Sequence, residues 1–260
     1  MNRIIAVANQ KGGVGKTTTI INLAAALGAR DLKVLIVDID PQGNAASGLD
    51  IDSSSILTSY DVLINEKPAH EATVQTRYKN VSLLPANQEL SGAQIEMVNM
   101  IARESRLKKA LEVVVNDYDY ILIDTPPSLG LLTLNALCAA ESVFIPIQCE
   151  FYALEGISQL LKTIKLVKQN LNPLLMIEGV CLTMFDSRTN LSKEVMENVV
   201  AHFKEKTYKT IIPRNVRLSE APSHGQPISV YSPESVGATA YEKLADEFLE
   251  KNRQETASPV

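Results

Sequence analysis

The chain has 260 residues, 45% of them hydrophobic, and a net charge of −5. That length and composition fit a single α/β domain with a substantial core and exclude a disordered or low-complexity chain. No apolar run approaches the roughly 20 residues of a bilayer-spanning helix, and the N-terminus enters a strand-like run almost at once, leaving no room for a secretory signal.

Apolar runs at 4–8, 34–38, 81–85, 120–124, 143–147, 177–183 and 210–212 read as strands. Several are unbroken stretches of Val, Ile and Leu, the pattern of strands covered on both faces. Helical patterns lie between and after them, at 17–29, 103–116, 131–140, 154–170, 191–206 and 236–251. This alternation predicts an α/β fold: a doubly wound, mostly parallel sheet flanked by helices, with ligands bound beyond the carboxyl ends of the strands. Residues 1–253 read as one domain and 254–260 as a polar, frayed tail. Cys138, Cys149 and Cys181 are widely spaced, form no C-x-x-C, and read as small core residues in a reducing cytoplasm.

The first strand runs into Gln10-Lys11-Gly12-Gly13-Val14-Gly15-Lys16-Thr17-Thr18. Glycines let backbone N–H groups curl around a phosphate, and the following helix points its positive end at the same place. In such a loop Lys16 serves the β- and γ-phosphates and the Thr17 hydroxyl is placed for Mg²⁺. The usual first glycine of the P-loop pattern is replaced by Gln10, and a second lysine, Lys11, stands at the loop's opening. Lys11 reads either as a solvated loop lysine or as a cation reaching a nucleotide held by another subunit.

The run from Val34 ends in Asp38-Ile39-Asp40-Pro41-Gln42-Gly43-Asn44. Pro41 and Gly43 turn the chain at the same rim as the phosphate loop. Asp40 is a candidate to orient an attacking water, and Asp38 to brace the loop or the metal shell; the alternative is a pair of exposed turn aspartates. The run Tyr120-Ile121-Leu122-Ile123-Asp124-Thr125-Pro126-Pro127-Ser128 has the form of a Walker B segment, whose acid holds Mg²⁺ directly or through water. The segment 186–217 carries seven basic side chains against four acidic ones, a locally basic stretch on an acidic protein.

Taken together, the Lys11-to-Thr17, Asp38-to-Asn44 and Ile123-to-Ser128 segments resemble the ParA/MinD family of deviant-Walker P-loop ATPases. Gln148-Cys149-Glu150-Phe151-Tyr152-Ala153-Leu154-Glu155-Gly156, the stretch from Leu182 to Arg188 and the stretch from Ile212 to Gly225 are similar to its chromosomal ParA (Soj) branch, over nearly the whole chain.

The resemblance implies an ATP- and Mg²⁺-dependent ATPase, cytoplasmic and nucleoid-associated, slow until stimulated by a partner and DNA. It forms a homodimer around two sandwiched nucleotides, binds double-stranded DNA without reading sequence, and answers to a ParB-type centromere-binding protein. Carried over by position, Lys11 reaches the partner subunit's phosphates, while Lys16 and Asp40 complete the catalytic set. The nucleotide-binding set is Lys11, Gly12, Gly13, Val14, Gly15, Lys16, Thr17 and Thr18, with Pro213 and Asn215 against adenine. Thr17 and Asp124 (through water) are the metal residues, Gly12 lies where subunits approach, and Arg188 and Arg217 touch DNA.

Three rival readings are weaker. A MinD-like membrane ATPase needs a basic amphipathic C-terminal helix, whereas 241–253 is acid-rich. An iron–sulfur carrier on this scaffold needs cysteines placed for a cluster. A non-hydrolysing adaptor has no need of Asp40 and Asp124 together.

Overall fold

A computed structural model describes residues 2–150 and 153–257, excepting the side chains of 153–156 and 254–257. Seven strands form one sheet: β1 (Arg3–Val7), β2 (Val34–Asp38), β3 (Val74–Gln75), β4 (Val81–Leu84), β5 (Tyr120–Asp124), β6 (Ser142–Gln148) and β7 (Met176–Thr183). Their order is β3-β4-β2-β5-β1-β6-β7. All neighbours are parallel except the two-residue edge strand β3.

Eleven α-helical segments accompany them among the described residues: α1 (Lys16–Ala29), α2 (Asn44–Gly48), α3 (Ser59–Leu63), α4 (Leu90–Glu96), α5 (Arg106–Leu111), α6 (Leu131–Ala139), α7 (Ala153–Asn170), α8 (Asn190–Phe203), α9 (Val216–Glu220), α10 (Ile228–Tyr231) and α11 (Val236–Ala257). Successive strand residues point to opposite faces, so the unbroken apolar runs feed two cores. From β2, Leu35 and Val37 join the core under α3 to α8, whereas Val34 and Ile36 join the core shared with α1 and α11.

The parallel register fixes the active rim. Val7 and Asp38 both stand opposite Asp124, so the end of β1 and the two acidic strand ends lie side by side. At the other end of the sheet a buried polar network ties α11 to the strands. Arg3 pairs with Glu178 at 3.1 Å, Ser142 donates to Glu178 at 2.7 Å, and Asn252 bonds to both Arg3 and Glu178.

Several elements differ from the sequence expectation. Residues 210–212 are not a strand: the amides of Lys209 and Thr210 donate to the Glu247 carboxylate of α11, leaving only isolated bridges such as Phe185 with Pro213. The pattern at 103–116 yields only the short α5, because Ala102 is left-handed (φ 53°) and the β-branched run from Val113 to Val115 favours helix poorly. The helix expected over 191–206 ends at Phe203, where Lys204 turns to φ 47°. The helix expected over 236–251 continues to Ala257.

Candidate nucleotide site

The loop between β1 and α1 is shaped by two left-handed glycines, Gly13 (φ 73°) and Gly15 (φ 87°). A Cβ at Gly13 would meet no atom within 4 Å, so the requirement there is conformational and not steric. Gly15 caps α1 and accepts its first bond from Thr19 N at 2.8 Å. Side chains from neighbouring strands hold the loop in place. Thr183 at the end of β7 donates to the Val14 carbonyl (2.9 Å), and Asn9 donates to the Pro146 carbonyl (2.7 Å) while accepting from the Lys11 amide (3.0 Å).

Lys16 is 7% exposed. Burial lowers its pKa, and the carboxylates of Asp124 and Asp40 oppose that shift, which places all three charges in one site. Asp38 is fully buried, and both of its oxygens accept backbone amides, from Asp40 (2.8 Å) and Ala45 (3.1 Å). It braces the turn that carries Asp40, and not the phosphate loop itself. Burial, then the neighbouring Asp124, pushes its pKa well above the carboxylate range. Asp40 is also largely buried and accepts from the Gln42 amide at 3.1 Å, so neither aspartate is an exposed turn residue.

Asp124 takes the Thr17 hydroxyl on Oδ2 at 2.6 Å. Its other oxygen is buried and has no hydrogen-bond partner. Burial raises its pKa to about 7, against the Thr17 bond and the Lys16 charge. A buried, unsatisfied carboxylate oxygen beside a hydroxyl is a hard all-oxygen donor pair, the chemistry that suits Mg²⁺. The residues present therefore fit that ion.

Gly15 and Thr18 open onto a cavity of about 210 Å³ whose far wall carries Pro213, Asn215 and Tyr241. The structure thus brings Pro213 and Asn215 beside the phosphate loop across nearly two hundred residues. The Asn215 side-chain oxygen Oδ1 caps α9, accepting from the Arg217 amide at 2.8 Å. Thr18 lies on this wall, Val14 is buried beneath the loop, and Gly12 has only Pro127 near it, 3.7 Å from an added Cβ.

Lys11 stands outside this cluster. Its ammonium pairs with Glu150 at 2.9 Å, and Glu150 also receives Gln148 (2.6 Å) and Arg214 (3.5 Å). Arg188 and Arg217 are on the surface, each paired locally, with Asp186 at 2.7 Å and Glu220 at 2.8 Å. Phe151 and Tyr152, part of the motif that follows Gln148, lie outside the described residues.

The sequence alone assigns no role to Asn9, Thr183 or Glu150. Thr183 carries the one usable signal, a polar residue closing an apolar strand at the ligand rim.

A glycine cradle at a helix N-terminus, a buried lysine and a hydroxyl–carboxylate pair beyond a parallel sheet define a P-loop nucleotide-binding protein. Residues 2–177 match the family model described as AAA domain. The sporulation initiation inhibitor protein Soj of Bacillus subtilis is 58% identical over 95% of this chain and 98% of its own length. The chromosome partitioning protein ParA of Myxococcus xanthus is 53% identical over 97% of this chain and 89% of its own. Among solved structures, a cobyrinic acid a,c-diamide synthase of Mycobacterium smegmatis with bound ADP and magnesium superimposes with a TM-score of 0.86 at 39% identity, covering 98% of this chain and 97% of that one. The chain belongs to the ParA/MinD family of P-loop ATPases, in its Soj/ParA branch.

Proposed function

We propose that this chain is a chromosome or plasmid partition ATPase in which ATP closes a two-nucleotide sandwich dimer, the dimer binds DNA non-specifically, and partner-stimulated hydrolysis releases it. The observation that carries this reading is the separation of the two loop lysines. Lys16 is buried among the site carboxylates, whereas Lys11 stands at the mouth, free to exchange Glu150 for a phosphate in a facing subunit.

Each residue has a definite task. The Gly13, Val14 and Gly15 amides and the Lys16 ammonium hold the phosphates; Pro213 and Asn215 wall the adenine. Thr17 and Asp124 would hold Mg²⁺, which would supply positive charge against the phosphates. Asp40, near Lys16, orients the attacking water. Lys11 adds the second cation from across the dimer, so hydrolysis is slow in a single chain and a basic partner segment of the ParB type completes the site. The γ-phosphate held by two subunits stabilises the dimer, and its loss reverses the switch. Pairing two subunits doubles the set formed by Arg188 and Arg217. Affinity for a polyanion rises steeply with the number of phosphates neutralised, so the dimer binds DNA far better than one chain. Both guanidiniums are exposed, and ion pairs at such positions yield readily to phosphate.

The test is binding of a non-specific duplex with ADP, with ATP, and with ATP plus Asp40→Ala, at two salt concentrations. Binding only with ATP, weakened by salt and increased in the variant, supports the proposal. Absence of DNA binding in every state, with ATP-dependent sedimentation on anionic liposomes, would replace it with a MinD-like membrane role.

A further inference from the structure

α4 and the 3₁₀ turn Met97–Asn99 that follows it bury Leu90, Ala93 and Met97 in the core. Their outer side carries three large aliphatic side chains: Ile95 is 77% exposed, Val98 51% and Ile101 94%. The three-residue spacing puts Ile95 and Val98 on neighbouring positions of one side, and Ile101 follows in the turn just beyond, where Met100 leaves helical geometry (ψ 142°). Three such side chains within seven residues remain half or more exposed, and an exposed apolar cluster of this kind marks an interaction surface.

Acids rim the row. Tyr60 of α3 donates its hydroxyl to Glu96 at 3.1 Å. Partial desolvation first, and then Glu96, Glu89 and Asp61, raise the pKa of that phenol, so three carboxylates act on the Tyr60 hydroxyl, one of them directly after Ile95 in the chain. The arginines close by are already neutralised: Arg103 pairs with Glu104 (2.8 Å) and Arg106 with Glu66 (3.1 Å).

The stretch from Ala86 through α4 touches both acidic loops of the nucleotide site. A methyl group on Gly43, three residues beyond Asp40, would lie 2.9 Å from the Ala86 carbonyl that leads towards α4. The Gln94 carboxamide of α4 lies over Gly130, in the loop that leaves Asp124. Pressure on α4 therefore reaches the backbone that carries both carboxylates.

We propose that the face of Ile95, Val98 and Ile101 docks a basic amphipathic segment of a partner protein, with Glu96, Glu89 and Asp61 receiving its cations. The proposal rests on the partition reading above and names the surface through which the partner acts. Other occupants fit less well. A second copy would bring the same carboxylates against themselves. Residues 254–260 of the chain carry one glutamate and no base, and DNA is repelled by the acidic rim.

The experiment titrates the ParB-type protein of the same organism against the ATPase activity of the full chain, for wild type, Ile95→Ser, Ile101→Ser, Glu96→Gln and Glu96→Lys. ATP-dependent DNA binding and unstimulated ATPase are measured in parallel. The isoleucine variants and Glu96→Lys are expected to raise the half-stimulating partner concentration about tenfold or more, as removal of a central anchor does. Glu96→Gln is expected to give a smaller rise, and DNA binding and unstimulated ATPase stay at wild-type level in all four. Unchanged stimulation in the isoleucine and lysine variants, with wild type responding, overturns the docking surface alone. A wild type that binds no DNA with ATP and ignores the partner overturns the partition reading, and this surface with it.

Discussion

The Lys11 ammonium lies 2.9 Å from the Glu150 carboxylate, tying the outer lysine of the phosphate loop to the segment just beyond β6 of its own chain. Both side chains are more than a third exposed, so the pair contributes about 0–1 kcal/mol. For Lys11 to reach a facing nucleotide this pair has to open. Glu150→Gln is expected to lower the protein concentration at which ATP produces dimers, by up to roughly fivefold. Sedimentation equilibrium with non-hydrolysable ATP analogue checks this, and a midpoint that rises would show that Glu150 supports the dimer.

Asp124 makes the stability of the nucleotide-free protein depend on pH. Its pKa is raised to about 7 in the fold, above that of the unfolded chain, so the folded state binds the extra proton between about pH 4 and 7. Its contribution to stability is therefore fully present below that window and falls as pH rises through it. Asp124→Asn is expected to raise the melting temperature of the nucleotide-free protein at pH 8, on the order of 5 °C, while removing the stabilisation that Mg²⁺ adds to ATP. Calorimetry at pH 5 and pH 8, with and without Mg²⁺-ATP, reads both effects; a variant less stable than wild type at pH 8 contradicts the assignment.

Lys16 is buried with Asp40 and Asp124 as its charge partners. Lys16→Ala removes the cation both from the phosphates and from the two acids. Nucleotide affinity is expected to fall by roughly 100-fold or more, since charge-assisted bonds to phosphate are the strong ones. Isothermal titration with Mg²⁺-ATP measures this.

Gly12 has space within its own chain, where an added Cβ meets only Pro127 at 3.7 Å. Gly12→Val is therefore expected to fold and bind ATP within about twofold of wild type, an effect of the size of ordinary surface changes. Dimers are expected to be lost, because in the proposed sandwich the side chain would project where the second subunit approaches. Light scattering with ATP separates the two outcomes, and normal dimerisation would remove Gly12 from the interface.

Arg217 is exposed and pairs with Glu220 at 2.8 Å. Arg217→Glu is expected to leave ATP-dependent dimers intact and to abolish binding of a non-specific duplex. For every phosphate left without its cation, the slope of log affinity against log salt falls by about 0.9, and reversing the charge adds repulsion. An electrophoretic salt series checks it.

The elements around the phosphates are legible in the sequence because their signals are local. Unbroken apolar runs ending in Asp38 and Asp124 belong to strands buried on both faces, and the glycines of residues 12–15 belong to a loop that must turn left-handed. The segment at 210–212 is equally apolar, yet the amides of Lys209 and Thr210 at its start are taken by Glu247, which no neighbour in sequence reveals. The short helices α2, α3, α4, α9 and α10 escape such a reading because four to seven residues hold too few turns to show a period.

Residue type and spacing by themselves determined the phosphate chemistry: one lysine inside a glycine loop, one at its mouth, a threonine after it and aspartates closing two strands. These follow from backbone conformation and the side-chain inventory, which act over a few residues. Only the tertiary structure decided which carboxylate braces and which is left unsatisfied, that Lys11 is held by Glu150, and that Gln94 of α4 lies over the loop leaving Asp124 while Ile95, Val98 and Ile101 stay exposed. Those relations depend on the parallel register of β1, β2 and β5 and on close packing between segments far apart in the chain, and such long-range packing leaves no periodicity to read.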